Sequence, residues 1–236
     1  MNTPRRMLSS LAMLAMIGTS CSGLDAATAA DAADAVDAPA ETTAPDTSIV
    51  LKITAVTTTL PPIAEAPDGF EYHDVSSAGF GVAVPTRWIA VDLTTDDLAA
   101  LITELDLDPD TEALVRQGMA GGVSLMAIDT AENTNVNIIS VPRQAGDSLD
   151  NIESLAAAQI EQAFGGTIVS TDRVEVDGRE AVKIVYEADF GTGPAEGHQY
   201  YIVADSAIFI ATFTTFSEAA DRDVFAQVMG TFELIS

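Results

Sequence analysis

YYIVADSAIFIATFTT, residues 200–215, is the stretch that decides the fold. Asp205-Ser206 separates two strand-like runs, 200–204 and 207–214, and reads as the turn of a hairpin. In the second run Ile208, Ile210 and Thr212 alternate with Phe209, Ala211 and Phe213, so both faces are largely apolar. A strand with one wet face alternates cleanly between apolar and polar. A strand apolar on both faces must be covered on both. The hairpin makes the pairing antiparallel, so the expected architecture is an antiparallel sheet between helical layers.

The neighbouring elements fit that plan. A hairpin is expected from 70–75 and 80–84 around Ser77-Ala78-Gly79, with Pro85 stopping the second strand and 88–91 extended. Leu98, Leu101, Ile102 and Leu105 have helical spacing, opened by Thr94 with Asp97 three residues on. Asp108-Pro109 starts a second helical piece that runs to about Met119, since proline suits a first helical turn. Gly121-Gly122 then releases strands at 123–128 and 135–141. Leu149, Ile152, Leu155, Ala156, Ile160 and Phe164 share one helix face, and Gly165-Gly166 ends that helix. Strands at 167–176 and 180–188 turn at Asp177-Gly178. A last helix over 218–229 points Val224, Phe225, Val228 and Met229 inward.

Charge excludes one class of function. The 236 residues carry 36 acidic and 10 basic side chains, a formal charge of −26. Phosphate backbones repel such a chain, so nucleic-acid binding through a basic patch is disfavoured. With 47% hydrophobic and 19% charged residues the chain is too apolar for wholesale disorder.

Residues 1–20 read as a signal peptide. Arg5 and Arg6 precede the uncharged run MLSSLAMLAMI (7–17), which has the length of a signal core and is too short to span a bilayer. Gly18-Thr19-Ser20-Cys21 follows and resembles the bacterial lipobox, matching at Thr19 and Ser20 and departing at Gly18, where Leu, Val or Ile is preferred. Cys21 is the sole cysteine, so no intramolecular disulfide can form. Lipidation of Cys21 explains its place, and would anchor the chain to the outer face of the cell membrane. The alternative is cleavage at Ala27-Thr28-Ala29, which discards Cys21 and leaves a secreted protein.

Residues 21–67 read as a flexible tether rich in Ala, Thr, Asp and Pro. Residues 22–67 hold no aromatic side chain and only one lysine, Lys52. Such a segment buries too little apolar surface to offset its chain entropy, and would span about 35–40 Å. Within it SIVLKITAV (48–56) alternates like a strand, read either as an extra edge strand or collapsed patch, or as a peptide that joins a partner's sheet. Residues 68–236 form the globular domain. They hold every aromatic residue, and seven basic against 29 acidic side chains give them a net charge of −22.

The order of motifs resembles the PsbP-like lipoproteins of actinobacteria. The residues that carry the resemblance are GFGVAVPTRWIAVDL (79–93), SLMAIDT (124–130), NTNVNIISVPR (133–143) and SLDNIESLAAAQIEQAF (148–164). RVEVDGREAVKIVYE (173–187), QYYIVADSAIFIATFTT (199–215) and DVFAQVMGTFEL (223–234) follow in the same order. The resemblance covers about 69–234 and implies an α+β fold, an α/β/α sandwich with a central, mostly antiparallel sheet. Members of the wider fold include an extrinsic subunit of the photosynthetic water-oxidising complex and a Ran-binding nuclear-transport factor. Both dock to proteins. The resemblance brings no catalytic motif with it.

Chemistry-bearing residues are sparse. The domain has no cysteine, and neither G-x-S-x-G nor H-E-x-x-H occurs. His198 is expected to be an exposed loop histidine after the flexible stretch Gly191-Thr192-Gly193-Pro194, and His73 a polar residue at a strand end. Two histidines so far apart do not suggest zinc. Asp106, Asp108, Asp110 and Glu112 alternate like the start of a calcium loop. Thr111 and Gln117 stand where that loop needs Gly and Glu, and helix capping by Asp108 with dipole pairing by Asp110 and Glu112 explains the four. Trp88, the only tryptophan, reads as core packing. The glycines at 121–122, 165–166 and 191–193 mark helix ends or a turn, without a phosphate-cradling pattern.

The expected function is therefore a non-enzymatic, lipid-anchored docking or accessory module of the cell envelope, with no catalytic residue, cofactor or metal. An unknown envelope protein with a basic surface is the expected partner, and nucleic acid is not. The alternative is an envelope lipoprotein binding a small apolar ligand or metal ion in a cleft, walled by 191–198 and the helix after Leu98. Its ligand-binding residues are not assigned. A wall-polymer hydrolase ranks last, because the negative charge opposes anionic polymers. The acidity, with only two lysines in the chain, also fits a salty habitat.

Overall fold

The 207–214 run lies near the centre of a seven-stranded sheet, as its two apolar faces require. The computed structural model describes residues 66–95, 109–189, 193–218 and 222–235. In chain order the strands are β1 (Phe70–Val75), β2 (Phe80–Pro85), β3 (Ile89–Asp92), β4 (Val123–Asp129), β5 (Thr134–Pro142), β6 (Thr167–Val176), β7 (Arg179–Asp189), β8 (Pro194–Val203), β9 (Ala207–Thr215) and β10 (Glu233–Leu234). The helices are α1 (Pro109–Ala120), α2 (Leu149–Phe164) and α3 (Asp223–Gly230). The large sheet has the order β3-β4-β5-β9-β8-β7-β6, and a smaller one has the order β1-β2-β10. Every pairing among the described residues is antiparallel.

Side-chain alternation sorts the large sheet into two faces. On one, Leu125, Val136, Ile138, Tyr200 and Phe213 pack with Phe80 and Val82 of the small sheet and with Phe225 of α3. The other face is divided between two helices. Val115 of α1 joins Val91, Met126 and Ile128, whereas Ile152, Ala156 and Ile160 of α2 join Val182, Ile184, Ile208 and Ile210. Both faces are thus covered, as expected. The layer opposite α1 and α2 combines a three-stranded sheet with α3.

Local sequence accounts for the boundaries. Ser148 caps α2 by accepting the Asn151 N–H at 3.3 Å, and Gly165 leaves the helix at φ +60°. The Asp177-Gly178 turn has positive φ at both residues, 51° and 66°, which is the primed geometry that matches strand twist. Pro85 is the last residue of β2 and faces Phe70.

Several expectations needed correction. Leu155 is 59% exposed, because 149, 152, 156 and 160 already complete the buried stripe of α2 and Leu155 lies at its margin. Strand β8 begins at Pro194, six residues before the expected start at Tyr200. Its first half lacks apolar alternation, yet it pairs with β7 on one side and β9 on the other. Two-sided pairing extends a strand where local propensity does not. Helix α3 begins at Asp223 rather than Glu218 and buries Val224, Phe225, Val228 and Met229, the four residues expected. The helix expected after Leu98, Cys21, the signal and tether assignments and the 48–56 strand lie outside the described residues.

Candidate docking cleft at the β8–β9 end

A cleft of about 400 Å³ opens where β8 starts and β9 ends. Its walls come from five separate stretches. Gly193 precedes β8 and Pro194, Ala195 and Glu196 begin it, while Thr215 ends β9 and Phe216 to Glu218 follow it. Glu187 stands on β7, Asn133 precedes β5, and Arg222 precedes α3. The stretch from 193 to 196 belongs to the wall expected from the 191–198 segment.

Glu196 is the electrostatic centre of the cleft. Arg222 reaches both carboxylate oxygens, Nε to Oε1 at 3.1 Å and Nη2 to Oε2 at 3.2 Å, and His198 Nε2 lies 2.6 Å from Oε1. The guanidinium also donates through Nη1 to the Glu218 carbonyl at 3.0 Å. Burial pushes the Glu196 carboxyl up, but the bonds from Arg222 and His198 outweigh it and hold Glu196 below the ordinary carboxylate value. For His198 burial dominates over its bond to Glu196 and lowers its pKa, so the imidazole is neutral near pH 7. An ionised Glu196 then accepts a hydrogen bond from Nε2–H, and Nδ1 carries the lone pair.

The expected loop position of His198 is corrected by this placement. It lies within β8, only 6% exposed, with its ring edge-on to Phe225 at 5.1 Å. Registry explains the burial: His198 faces Phe213 across the β8–β9 ladder, on the face that α3 covers. The hydroxyls that line the cleft are engaged elsewhere. Thr215 accepts from Thr134 at 2.9 Å, and Ser217 donates to Glu132 at 3.2 Å.

The other singled-out residues are scattered. His73 is the fourth residue of β1, inside the strand rather than at its end, and pairs in register with Val82. The cleft is lined without it. Trp88 is a core residue, and its indole Nε1 donates to buried Asp129 at 3.0 Å. Glu112 accepts from Arg116 one helical turn on, at 2.9 and 2.7 Å. Asp106 and Asp108 lie outside the described residues, as does the side chain of Asp110. Among the described residues no group of three His, Cys, Asp or Glu is placed to hold a metal ion.

Sequence reasoning missed a polar seam on the face that α1 and α2 share. Asn137, Thr212 and Gln199 are neighbours across β5, β9 and β8, and Asn135, Thr214, Gly197 and Tyr186 form the adjacent row. All but Gly197 carry polar groups, and all are buried. Asn and Thr alternating with apolar residues would have signalled it only if the facing strands had been known.

No protein-family model matches the chain, and no curated protein matches its sequence. The chain is similar in structure to a cyanobacterial PsbP. That protein, CyanoP of Synechocystis sp. PCC 6803, aligns with a TM-score of 0.48 at 12% identity over 72% of this chain and 95% of its own. LpqN, described as involved in cell envelope biogenesis of Mycobacterium tuberculosis, aligns with a TM-score of 0.46 at 9% identity over 72% of this chain and 87% of its own. These likenesses carry no residue role and no function to this chain.

Proposed function

We propose that the chain is a non-enzymatic, lipid-anchored docking module of the cell envelope, whose domain receives a basic surface of a partner protein at the β8–β9 cleft. The observation that carries this reading is the cleft rim, where Glu187, Glu196 and Glu218 meet around one opening and the guanidinium of Arg222 is held on Glu196. In a domain of net charge −22 that opening attracts a cationic side chain or segment. Lipidation at Cys21, with the segment 21–67 acting as the tether expected from its composition, would supply the mechanism, since tethering raises the local concentration of a domain near membrane proteins.

The anchor is tested by feeding cells a labelled fatty acid. Label enters the wild-type chain and is absent from Cys21→Ser. Equal labelling of both would remove the anchor from the account. Partner capture is tested by crosslinking in cells, with a variant that keeps residues 1–67 and lacks the domain as the control. A partner recovered equally well by that control would belong to the anchor or tether rather than to the cleft.

A further inference from the structure

Among the described residues, four buried side-chain atoms lack a hydrogen-bond partner within the protein: Asn137 Oδ1, Tyr186 OH, Thr214 Oγ1 and His198 Nδ1. Three of them lie on the polar seam. The seam crosses the face of the sheet between the apolar cluster at α1 and that at α2. Elsewhere along it the polar groups pair. Tyr201 OH donates to Gln199 Oε1 at 2.8 Å, Gln199 Nε2 donates to Thr212 Oγ1 at 3.1 Å, and Asn137 Nδ2 donates to Asn135 Oδ1 at 3.1 Å.

The unpaired groups stand side by side on the sheet. Asn137 is one residue pair along β5 from Asn135, which faces Thr214 across the ladder; Thr214 faces Gly197, which faces Tyr186. The Tyr186 ring lies over Gly197 so closely that a Cβ there would stand 2.2 Å from Cζ and 2.5 Å from the hydroxyl oxygen. Glycine at 197 lets the phenol lie across β8, with its hydroxyl between β7 and Thr214. Leaving a buried polar atom unpaired is costly, and native proteins rarely leave several together.

We propose that this seam is a binding site for an uncharged, hydroxyl-bearing molecule. The unpaired set defines that chemistry. Asn137 Oδ1 only accepts, so the occupant must donate. Burial raises the pKa of Tyr186, so its phenol stays protonated and needs an acceptor. Thr214 can serve either way. A hydroxyl both donates and accepts, as does water. If both asparagine amides were turned over, the unpaired atom would become a donor, which a hydroxyl also satisfies. No charged side chain belongs to the two rows, so an ion would lie there uncompensated. The hydroxyl can come from ordered water or from a retained small alcohol or polyol. This site is separate from the docking cleft and does not depend on the docking reading.

The sign of a stability change tests the proposal. Thr214→Val and Tyr186→Phe remove one hydroxyl each with little change of shape, and are made singly and together in the full chain. With an occupied seam each single variant breaks a bond to the occupant, and Tm falls by about 2–4 °C. The double variant falls by less than the sum, because both bonds end on a shared occupant. Native mass spectrometry of the chain from its own cells then separates the two sources. Extra mass with destabilised variants identifies a retained alcohol or polyol, and the bare mass with destabilised variants identifies water. An unchanged or raised Tm in both single variants would overturn the proposal, since removing an unsatisfied hydroxyl from a dry site costs nothing or stabilises.

Discussion

Asp129→Ala is expected to destabilise the domain by about 2–4 kcal/mol, because it strands a buried indole N–H and takes a charged acceptor from two turn amides, while the Arg87 side chain, 60% exposed, is left in solvent. Asp129 is almost fully buried at the end of β4 and serves four donors. Its Oδ2 accepts Arg87 Nε and Trp88 Nε1, each at 3.0 Å. Its Oδ1 accepts the backbone N–H of Ala131 at 3.0 Å and of Glu132 at 3.3 Å. One carboxylate thereby ties the turn after β2 to the turn between β4 and β5. Alanine would leave the buried indole and two partly exposed turn amides without their acceptor. For a domain of this size the melting temperature should fall by about 10 °C, measured by thermal unfolding. Asp129→Asn keeps the shape but presents an N–H to one of these donors, so it should also destabilise.

The same group sets an acid limit. Burial pushes Asp129 up, but the bonds from Arg87, Glu132 and Ala131 prevail and hold its pKa below the ordinary value. A carboxylate with a lowered folded pKa stabilises fully above its unfolded value of about 3.9. That contribution is lost as pH falls through the folded pKa. His73 and His198 act earlier, since burial lowers both. They favour the folded state above about pH 6.5 and cost stability below it, where the unfolded chain takes up their protons. Stability should therefore begin to fall below about pH 6.5 and fall again below about 4. In Asp129→Ala the second drop should shrink while the first remains.

Phe225→Ala is the second large effect, about 3–5 kcal/mol by the cost of emptying a fully buried aromatic site. Phe225 stacks on Phe213 at 4.8 Å and takes the edge of His198 at 5.1 Å. It is the contact through which α3 holds the base of the Glu196–His198 pair, with Arg222 at the head of that helix. The variant should melt about 10 °C lower and also lose partner capture at temperatures where it remains folded. Retention of full capture by folded Phe225→Ala would mean that the position of α3 does not matter to docking.

Strand alternation and two-residue turns carried most of the fold in the sequence. Asp177-Gly178 and Asp205-Ser206 are local signals, and the hairpins they define are present. Sequence periodicity also found the inward residues of α3. What escaped it is non-local. The first half of β8 holds its strand through neighbours on both sides, although its own residues, PAEGHQ, read as a loop. That misreading placed His198 in solvent. The cleft gathers side chains from five stretches between Asn133 and Arg222, so no short motif could show it. Asn135 and Asn137 alternate with Val136 and Ile138 as a half-wet strand would, and only the pairing with Thr214 and Thr212 reveals a buried seam.

The most direct test of docking at the cleft is crosslinking in cells with Glu187→Lys and Glu218→Lys combined, compared with the wild-type chain at matched expression. Both residues line the cleft, and neither takes part in the Asp129 network or the seam. The account predicts that a recurrent envelope protein captured by the wild type falls by about tenfold or more in the variant, while the melting temperature stays within a few degrees. Capture of the same partner at the same yield by the charge-reversed chain, or no recurrent partner for the wild type, would contradict it.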